Sequence, residues 1–444
     1  MKKYIFALFI AFTAVNVKPA LAQHEAYEMM VSGVKVIVQP TKNEIVEIQT
    51  IIKGGVQNYP ASKAGIESMA ISALTECGTL EHDKNSFKNI LDKLSAQVYG
   101  NSNKNFSVVR MNCLKEDFET VWPLYTEALT LPKFDAKEFT RVKQDAINQL
   151  KENESDPDAA IDKFADSIAF AGRDYAKNPA GTSSILQKLT PEETKNYYRS
   201  ILTRSRMLIV VVANLDKATI EKKIEGLLAG IKQGAPFELR KSSFRIYKNT
   251  FNAAPKDYAT NYVEGITGGP QPGTKNFNAF SVAMRIFADR HFLDVRTKNA
   301  LSYAPQAWFS TGATAVARVS VSTTEPNKYI AVFDKLVDSI KTRGFKAEEV
   351  ANMKVTYLTG FYYKNETNSA QATSIAFNEV LHNNWKRSLT LVNDVKKLTV
   401  DDINTAFRNY IGNTTWVYQG DTKKVNPVLF INGTLKKAEN GISH

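Results

Sequence analysis

Between Gly33 and Val38 the chain reads GVKVIV, and between Ile45 and Lys53 it reads IVEIQTIIK, with a polar turn at Thr41 to Glu44 between them. Both runs carry strand periodicity, so the pattern predicts a hairpin-like opening. Apolar residues then recur at helical spacing in Ala64 to Thr75 and in Ser86 to Leu94. A strand pattern follows at Phe106 to Leu114, and long helical patterns cover Phe118 to Leu129, Ala136 to Lys151 and Ala159 to Phe170. The continuous apolar run LIVVVA, Leu208 to Ala213, reads as a buried strand, and Ala218 to Ile231 as a helix behind it.

The order of elements then recurs. At one constant offset, Phe134 is answered by Phe345, Glu138 by Glu349 and Ala165 by Ala376, and further on LTPEE from Leu189 is answered by LTVDD from Leu398. A repeat this long, present twice, is a duplicated domain, since a solenoid stacks several short units to build a continuous core. The fold class expected is α+β: two similar duplicated domains, each a mostly antiparallel sheet packed with long helices. The boundaries expected are 23–232 and 256–444, joined by a linker at 233–255 that holds QGAPFELRKSS and NTFNAAP and shows no periodicity.

Residues 1–22 break from this plan. Lys2 and Lys3 precede a mostly apolar stretch from Tyr4 to Val15, and Ala20-Leu21-Ala22 fits a small-residue cleavage site before Gln23. The expectation is a signal peptide and an exported, periplasmic chain. Asn16 and Lys18 leave the apolar stretch short of a membrane span, and no membrane span is expected later in the chain.

Composition narrows the classes further. With 43% hydrophobic and 23% charged residues the 444-residue chain is globular, and it is long enough for more than one core. Its formal charge of +12 is spread along the sequence without a basic run interleaved with aromatics, which argues against nucleic acid as a partner and leaves acidic polymers or acidic peptides. Cys77 and Cys113, the two cysteines, are read as small buried thiols. His82, His291 and His382 have no carboxylate or histidine at ligand spacing and are read as surface or helix-end histidines. Gly268-Gly269-Pro270 lacks the Lys-Ser/Thr of a phosphate loop and is read as a strand-to-helix turn.

The stretch AGIESMAISALTECGT, Ala64 to Thr79, has the shape of a catalytic helix without catalytic residues. Aligned on Gly65 it resembles the zinc helix of the pitrilysin-like metallopeptidases, the inverzincins related to mitochondrial processing peptidase. There H-x-x-E-H supplies two zinc ligands one turn apart and a glutamate that activates water. The resemblance places those histidines on Ser68 and Ser72, the glutamate on Ile71, and the third ligand, a glutamate on a later helix, on Ile147. All four ligating or catalytic groups are lost, so no metal is expected in this chain. Acidic neighbours such as Glu67, Glu76, Asp145 and Glu152 are read as solvated helix faces.

The resemblance extends over nearly the whole chain and is strongest from Gly265 to Trp308, where a helix ends in Val-Arg and runs through Leu-Ser-Tyr into a strand. There Arg296 and Tyr303 fall on the positions where active relatives hold substrate. One bacterial sub-group divides the labour between a zinc subunit and a zinc-less subunit that carries the Arg and Tyr. The resemblance therefore implies the non-catalytic subunit of an exported heterodimeric zinc peptidase, with Arg296 and Tyr303 binding a peptide substrate and zinc on a homologous partner. A non-enzymatic peptide-binding or scaffolding protein of the cell envelope is the alternative, and a peptidase acting alone is not expected.

Overall fold

The computed structural model describes residues 25–433; the expected signal peptide, 1–22, lies outside the described residues. Two sheets form, one in each half of the chain. The first contains β1 (Tyr27–Val31), β2 (Val34–Pro40), β3 (Ile45–Lys53), β4 (Gln97–Ser102), β5 (Phe106–Leu114) and β6 (Met207–Ala213), in the order β1-β2-β6-β3-β5-β4. The second contains β7 (Thr250–Pro255), β8 (Asn261–Gly268), β9 (Gln306–Ser310), β10 (Val316–Thr323) and β11 (Thr414–Gly420), in the order β7-β11-β8-β10-β9.

With β1 set aside, the two orders map onto each other strand by strand. In each, one parallel pair, β2 with β6 and β7 with β11, flanks an antiparallel remainder. The duplication read from the sequence is thus present as a duplicated topology of mostly antiparallel sheets and long helices.

Two expectations need correction. The runs at Gly33 and Ile45 do not form a hairpin with each other, because β6 is inserted between β2 and β3. Every residue of β6 is buried, so it needs a strand on both sides and helices on both faces. The hairpin of this region is β1 with β2, closed by Ser32 and Gly33 at φ 47° and 82°. Positive φ at both central residues is what a two-residue turn of matching twist demands. The second correction concerns 233–255: its last six residues are the edge strand β7, and the earlier part docks on the second sheet through bridges from Ser242 to Thr314 and Phe244 to Gly269.

Two helices are exchanged between the halves. The helix Pro157–Ala169 lies on β8 and β11 of the second sheet, and its counterpart Asn368–His382 lies on β3 and β6 of the first. Ala372, Ile375, Ala376, Val380 and Leu381 accordingly belong to the first core. Polar anchors fix the crossing: Asn368 Nδ2 donates to the carbonyls of Ile45 (2.7 Å) and Val212 (3.2 Å), and Gln49 Nε2 donates to Thr373 Oγ1 (3.1 Å). The chain therefore folds as two sheets that each borrow a helix from the other half.

Candidate functional site

The helix Ile66–Glu76 carries the degenerate positions. It starts after Gly65 at φ 94°, where a side chain would meet Leu186 and the backbone of Gly181. Packed against β4 and the helices Ala136–Ser155 and Pro191–Ile201, it turns Ser68 and Ser72 to a half-buried face. Ile71 is fully buried and Ile147 nearly so. Where the resemblance would put a water-activating carboxylate, Ile71 instead packs so tightly on β4 that a Cβ on Gly100 would come within 2.5 Å of its Cγ2. Among the described residues no group of three or more His, Cys, Asp or Glu side chains is arranged to hold a metal ion.

Glu67 departs from the solvated-face reading. It is buried and accepts hydrogen bonds from Ser107 Oγ (2.5 Å), Tyr197 Oη (2.6 Å) and Asn58 Nδ2 (2.9 Å), while Arg206 Nη1 donates to Asn58 Oδ1 (2.6 Å). Burial pushes its carboxyl pKa upward against the pull of those donors. Helical periodicity carries no signal for it, because its partners come from β5, from the segment after β3 and from the helix Pro191–Ile201. With all three donors spent on its two oxygens, Glu67 ties the start of the helix to the sheet. Glu76 is held by Lys88 (2.6 Å) and Arg141 (3.1 Å), and Asp145 by Arg141 (2.8 Å).

Arg296 and Tyr303 come together on the second half. The helix Asn276–Phe292 runs on into a π-helical turn, Leu293–Lys298, which ends where Ala300 takes φ 51° and its N–H donates to the Arg296 carbonyl (3.1 Å). Such turns and positive φ at a residue with a Cβ are uncommon and cluster at functional sites. The wide turn lays the Arg296 guanidinium between two rings, 5.1 Å from the centre of Phe292 and 4.2 Å from that of Tyr303. Tyr303 is 79% exposed, and Phe292 and Leu293 are exposed beside it. A cation stacked on an exposed phenol forms a surface that can donate hydrogen bonds to carbonyl oxygens and cover an apolar side chain.

The remaining sequence candidates are structural. His82 pairs with Glu127 (2.8 Å). His291 is neither at the surface nor at a solvated helix end: it is fully buried, stacked on Phe287, with Nε2 3.2 Å from Tyr329 Oη, and burial pushes its pKa down to about 3. Cys77 and Cys113 are buried free thiols, each pushed up to about 12 by burial. Gly268-Gly269-Pro270 is the connection from β8 toward the next helix, and a side chain on Gly269 would strike the Ala315 carbonyl.

Comparison with known proteins bears out the family read from the degenerate helix. Residues 188–357 match the sequence model of the family described as "Peptidase M16 inactive domain". Over 96% of this chain and all of the relative, the sequence is 21% identical to the "Non-peptidase homolog YmxG" of Helicobacter pylori. The fold is similar to a crystal structure of a peptidase M16 inactive domain from Pseudomonas fluorescens (TM-score 0.81, 15% identity, 91% of this chain and 99% of that one). It is also similar to the periplasmic protease PqqL of Escherichia coli (TM-score 0.77, 15% identity, 95% of this chain and 49% of that one).

Proposed function

From the premise that residues 188–357 belong to the peptidase M16 inactive domain, we propose that the chain is the zinc-less, non-catalytic subunit of a heterodimeric zinc peptidase. The single observation that carries this reading is a contrast within one chain. The position of the water-activating carboxylate is closed by packing, Ile71 into the space over Gly100, whereas Arg296 and Tyr303 are assembled and presented outward. A site that had simply decayed would be expected to lose both.

In this reading a homologous partner supplies zinc and the activated water, and this chain supplies the opposite wall of a peptide-holding chamber. Negative charge develops on the scissile carbonyl oxygen as water adds, and donors aimed at that oxygen or at the adjacent carbonyls lower the barrier. The Arg296 fork and the Tyr303 hydroxyl are of the right chemistry for both tasks. The leading segment 1–22 and the likeness to a periplasmic protease support export and a periplasmic location.

The test is co-purification from the native host followed by reconstitution. A stable complex with a homologue bearing an intact H-x-x-E-H, burying at least about 1,000 Å², is expected. Recovery of free monomer only would sink the reading. One observation favours a scaffolding role instead: Arg296 is already occupied by two rings, which suits a purely structural stack. The description of the Helicobacter pylori relative as a non-peptidase homologue accords with either role.

A further inference from the structure

The two sheets carry an arginine at equivalent positions. In the first, Glu47 of β3 lies opposite Asn112 and Gln49 opposite Arg110; in the second, Glu264 of β8 lies opposite Ser320 and Ile266 opposite Arg318. The surroundings of these two arginines differ. Over Arg318 the exchanged helix brings Asp162 and Asp166, and both carboxylates bind it. At the repeat offset those residues become Thr373 and Phe377, so the helix over Arg110 brings no acid at those positions, and its one carboxylate, Glu379, is paired with Lys35 (2.8 Å).

Arg110 instead faces a cavity of about 820 Å³, within the size range of sites that take drug-sized ligands. Arg285, Lys364 and Arg387 also line it, and among the described residues no Asp or Glu does. Among the described residues none of these four cations has an ion-pair partner within 4 Å. Asp289 acts on Arg285 and Asp394 on Arg387 from beyond ion-pair range, and both stand outside the wall.

Two of the cations are half-buried. The Nε atoms of Arg110 and Arg387 are shielded from solvent and have no hydrogen-bond partner among the described residues, although Arg387 is fixed in place by Nη2 donating to Asn278 Oδ1 (2.8 Å). Buried donors are normally paired, so two unpaired guanidinium N–H groups in one wall mark a place for acceptors. Burial, with the positive charge of Arg387 and Lys241 added, pushes the pKa of His382 in the same wall down to about 3. Arg285 and Lys364 are exposed, at the mouth. Between the cations the wall is aromatic: Phe309, Phe361 and Phe377, with Tyr357 under the Arg285 guanidinium at 4.7 Å.

We propose that this cavity binds an acidic peptide segment, with a carboxylate reaching Arg110 and Arg387, apolar side chains against the aromatic wall, and the chain leaving past Arg285 and Lys364. The assignment rests on the proposed function only in taking a peptide as ligand; it needs no partner and no turnover. A cluster of cations with apolar walls selects carboxylates on an apolar body, and the exposed pair at the mouth favours a chain that continues outward over a free acid.

The full chain without its partner is titrated into a fluorescently labelled heptapeptide of alternating glutamate and phenylalanine, and anisotropy is read. Saturable binding that weakens with salt is expected, with no binding of the twin that has lysine in place of glutamate. Arg110→Gln is expected to weaken binding roughly tenfold or more, the loss of one charge-assisted hydrogen bond. The double variant Arg285→Gln/Lys364→Gln, at exposed positions that do not carry the fold, is expected to weaken it as well. Arg408→Gln, whose partner Asp401 lies away from the cavity, is expected to leave it unchanged. Equal affinity for the acidic and basic peptides, or full affinity in the double variant, overturns the proposal. So does a free aromatic acid such as phenylacetate that competes as well as the unlabelled peptide, since the cavity would then hold a small acid. Because the assay uses no partner, monomeric behaviour in the native host would defeat the heterodimer reading and leave this result standing.

Discussion

Ile71 and Gly100 fit each other by subtraction: the isoleucine Cγ2 occupies the space a side chain on the strand residue would need, at 2.5 Å from where its Cβ would stand. Because Ile71 is β-branched and fully buried, it has little freedom to move aside. Gly100→Ala is therefore expected to destabilise the fold by about 1–3 kcal/mol, the usual range for overpacking. In an Ile71→Ala background the same change is expected to cost much less. Urea unfolding of the four members of this cycle measures the coupling, and additive effects would show that the contact is not the reason for glycine.

The same packing predicts metal behaviour. The chain purified alone and dialysed against zinc is expected to retain no stoichiometric metal and to cleave no peptide, because Ser68, Ile71, Ser72 and Ile147 offer no imidazole or carboxylate. Elemental analysis that finds one tightly held zinc per chain would refute this. Ser68→Ala and Ser72→Ala are expected to leave the activity of a reconstituted complex unchanged.

The elements were largely legible because each has its own period: β5 and β6 stand where alternation and a continuous apolar run put them, and the duplicated order of the halves shows as answering residues. Two things were not. The insertion of β6 between β2 and β3 is a long-range pairing that leaves no local mark, and the turn chemistry at Thr41 to Glu44 invited a hairpin there. The exchange of Pro157–Ala169 and Asn368–His382 leaves no mark either, since an amphipathic stripe records that a face is covered and not by which sheet. At the candidate site the family resemblance pointed to Arg296 and Tyr303 but could not show the π-helical turn that stacks them. Glu67 was misread for the reverse reason: a carboxylate among apolar neighbours looks solvated until its three donors, all distant in sequence, are in place.

If Arg296 and Tyr303 act on substrate, Tyr303→Phe in the reconstituted complex should leave assembly and zinc content intact and lower turnover by roughly 10²–10³ fold, the loss seen when one oxyanion donor is removed. The substitution keeps the ring under the guanidinium, so a purely structural stack would hardly feel it. Arg296→Ala should lower turnover as well. Unchanged hydrolysis by the Tyr303→Phe complex, with Arg296→Ala merely loosening the fold, would make the pair a structural stack.

His291 gives a pH dependence with a definite sign. In the folded chain burial pushes its pKa down to about 3, whereas an unfolded histidine titrates near about 6.5. Between those values the unfolded chain binds a proton that the folded chain does not. The stability this group contributes is therefore fully present above about pH 6.5 and lost as pH falls from there toward 3, at up to about 1.4 kcal/mol per pH unit. His382, also pushed down to about 3, adds a slope of the same sign. Urea midpoints from pH 6.5 to 4.5 should fall less steeply for His291→Phe than for the native chain, and identical slopes would show that His291 charges within the fold.

Arg318 holds the exchanged helix to the second sheet, and its surroundings predict an asymmetry between its partners. Nη1 donates to Asp162 (2.6 Å) and to Glu264 (2.8 Å), and Nη2 to Asp166, which Lys104 also binds. Three carboxylates thus share two cations, and the deepest one bears the imbalance. Burial, with Asp162 adding to it and Arg318 opposing, pushes Glu264 up to about 8. Removing the arginine leaves Glu264 buried without its cation, so Arg318→Met should destabilise by about 3–5 kcal/mol, the cost of breaking a buried pair from one side. Asp162 is more than half exposed, and Asp162→Asn should cost at most about 1 kcal/mol. Protonation relieves a lone Glu264, so the deficit of Arg318→Met should be smallest in mild acid and grow as pH rises through about 8. Thermal unfolding across that range, with limited proteolysis at 233–249 as a reporter of the halves separating, measures both effects. Equal losses for the two variants, or a deficit that shrinks with rising pH, would place the anchorage of the exchanged helix in its apolar face and not in Arg318.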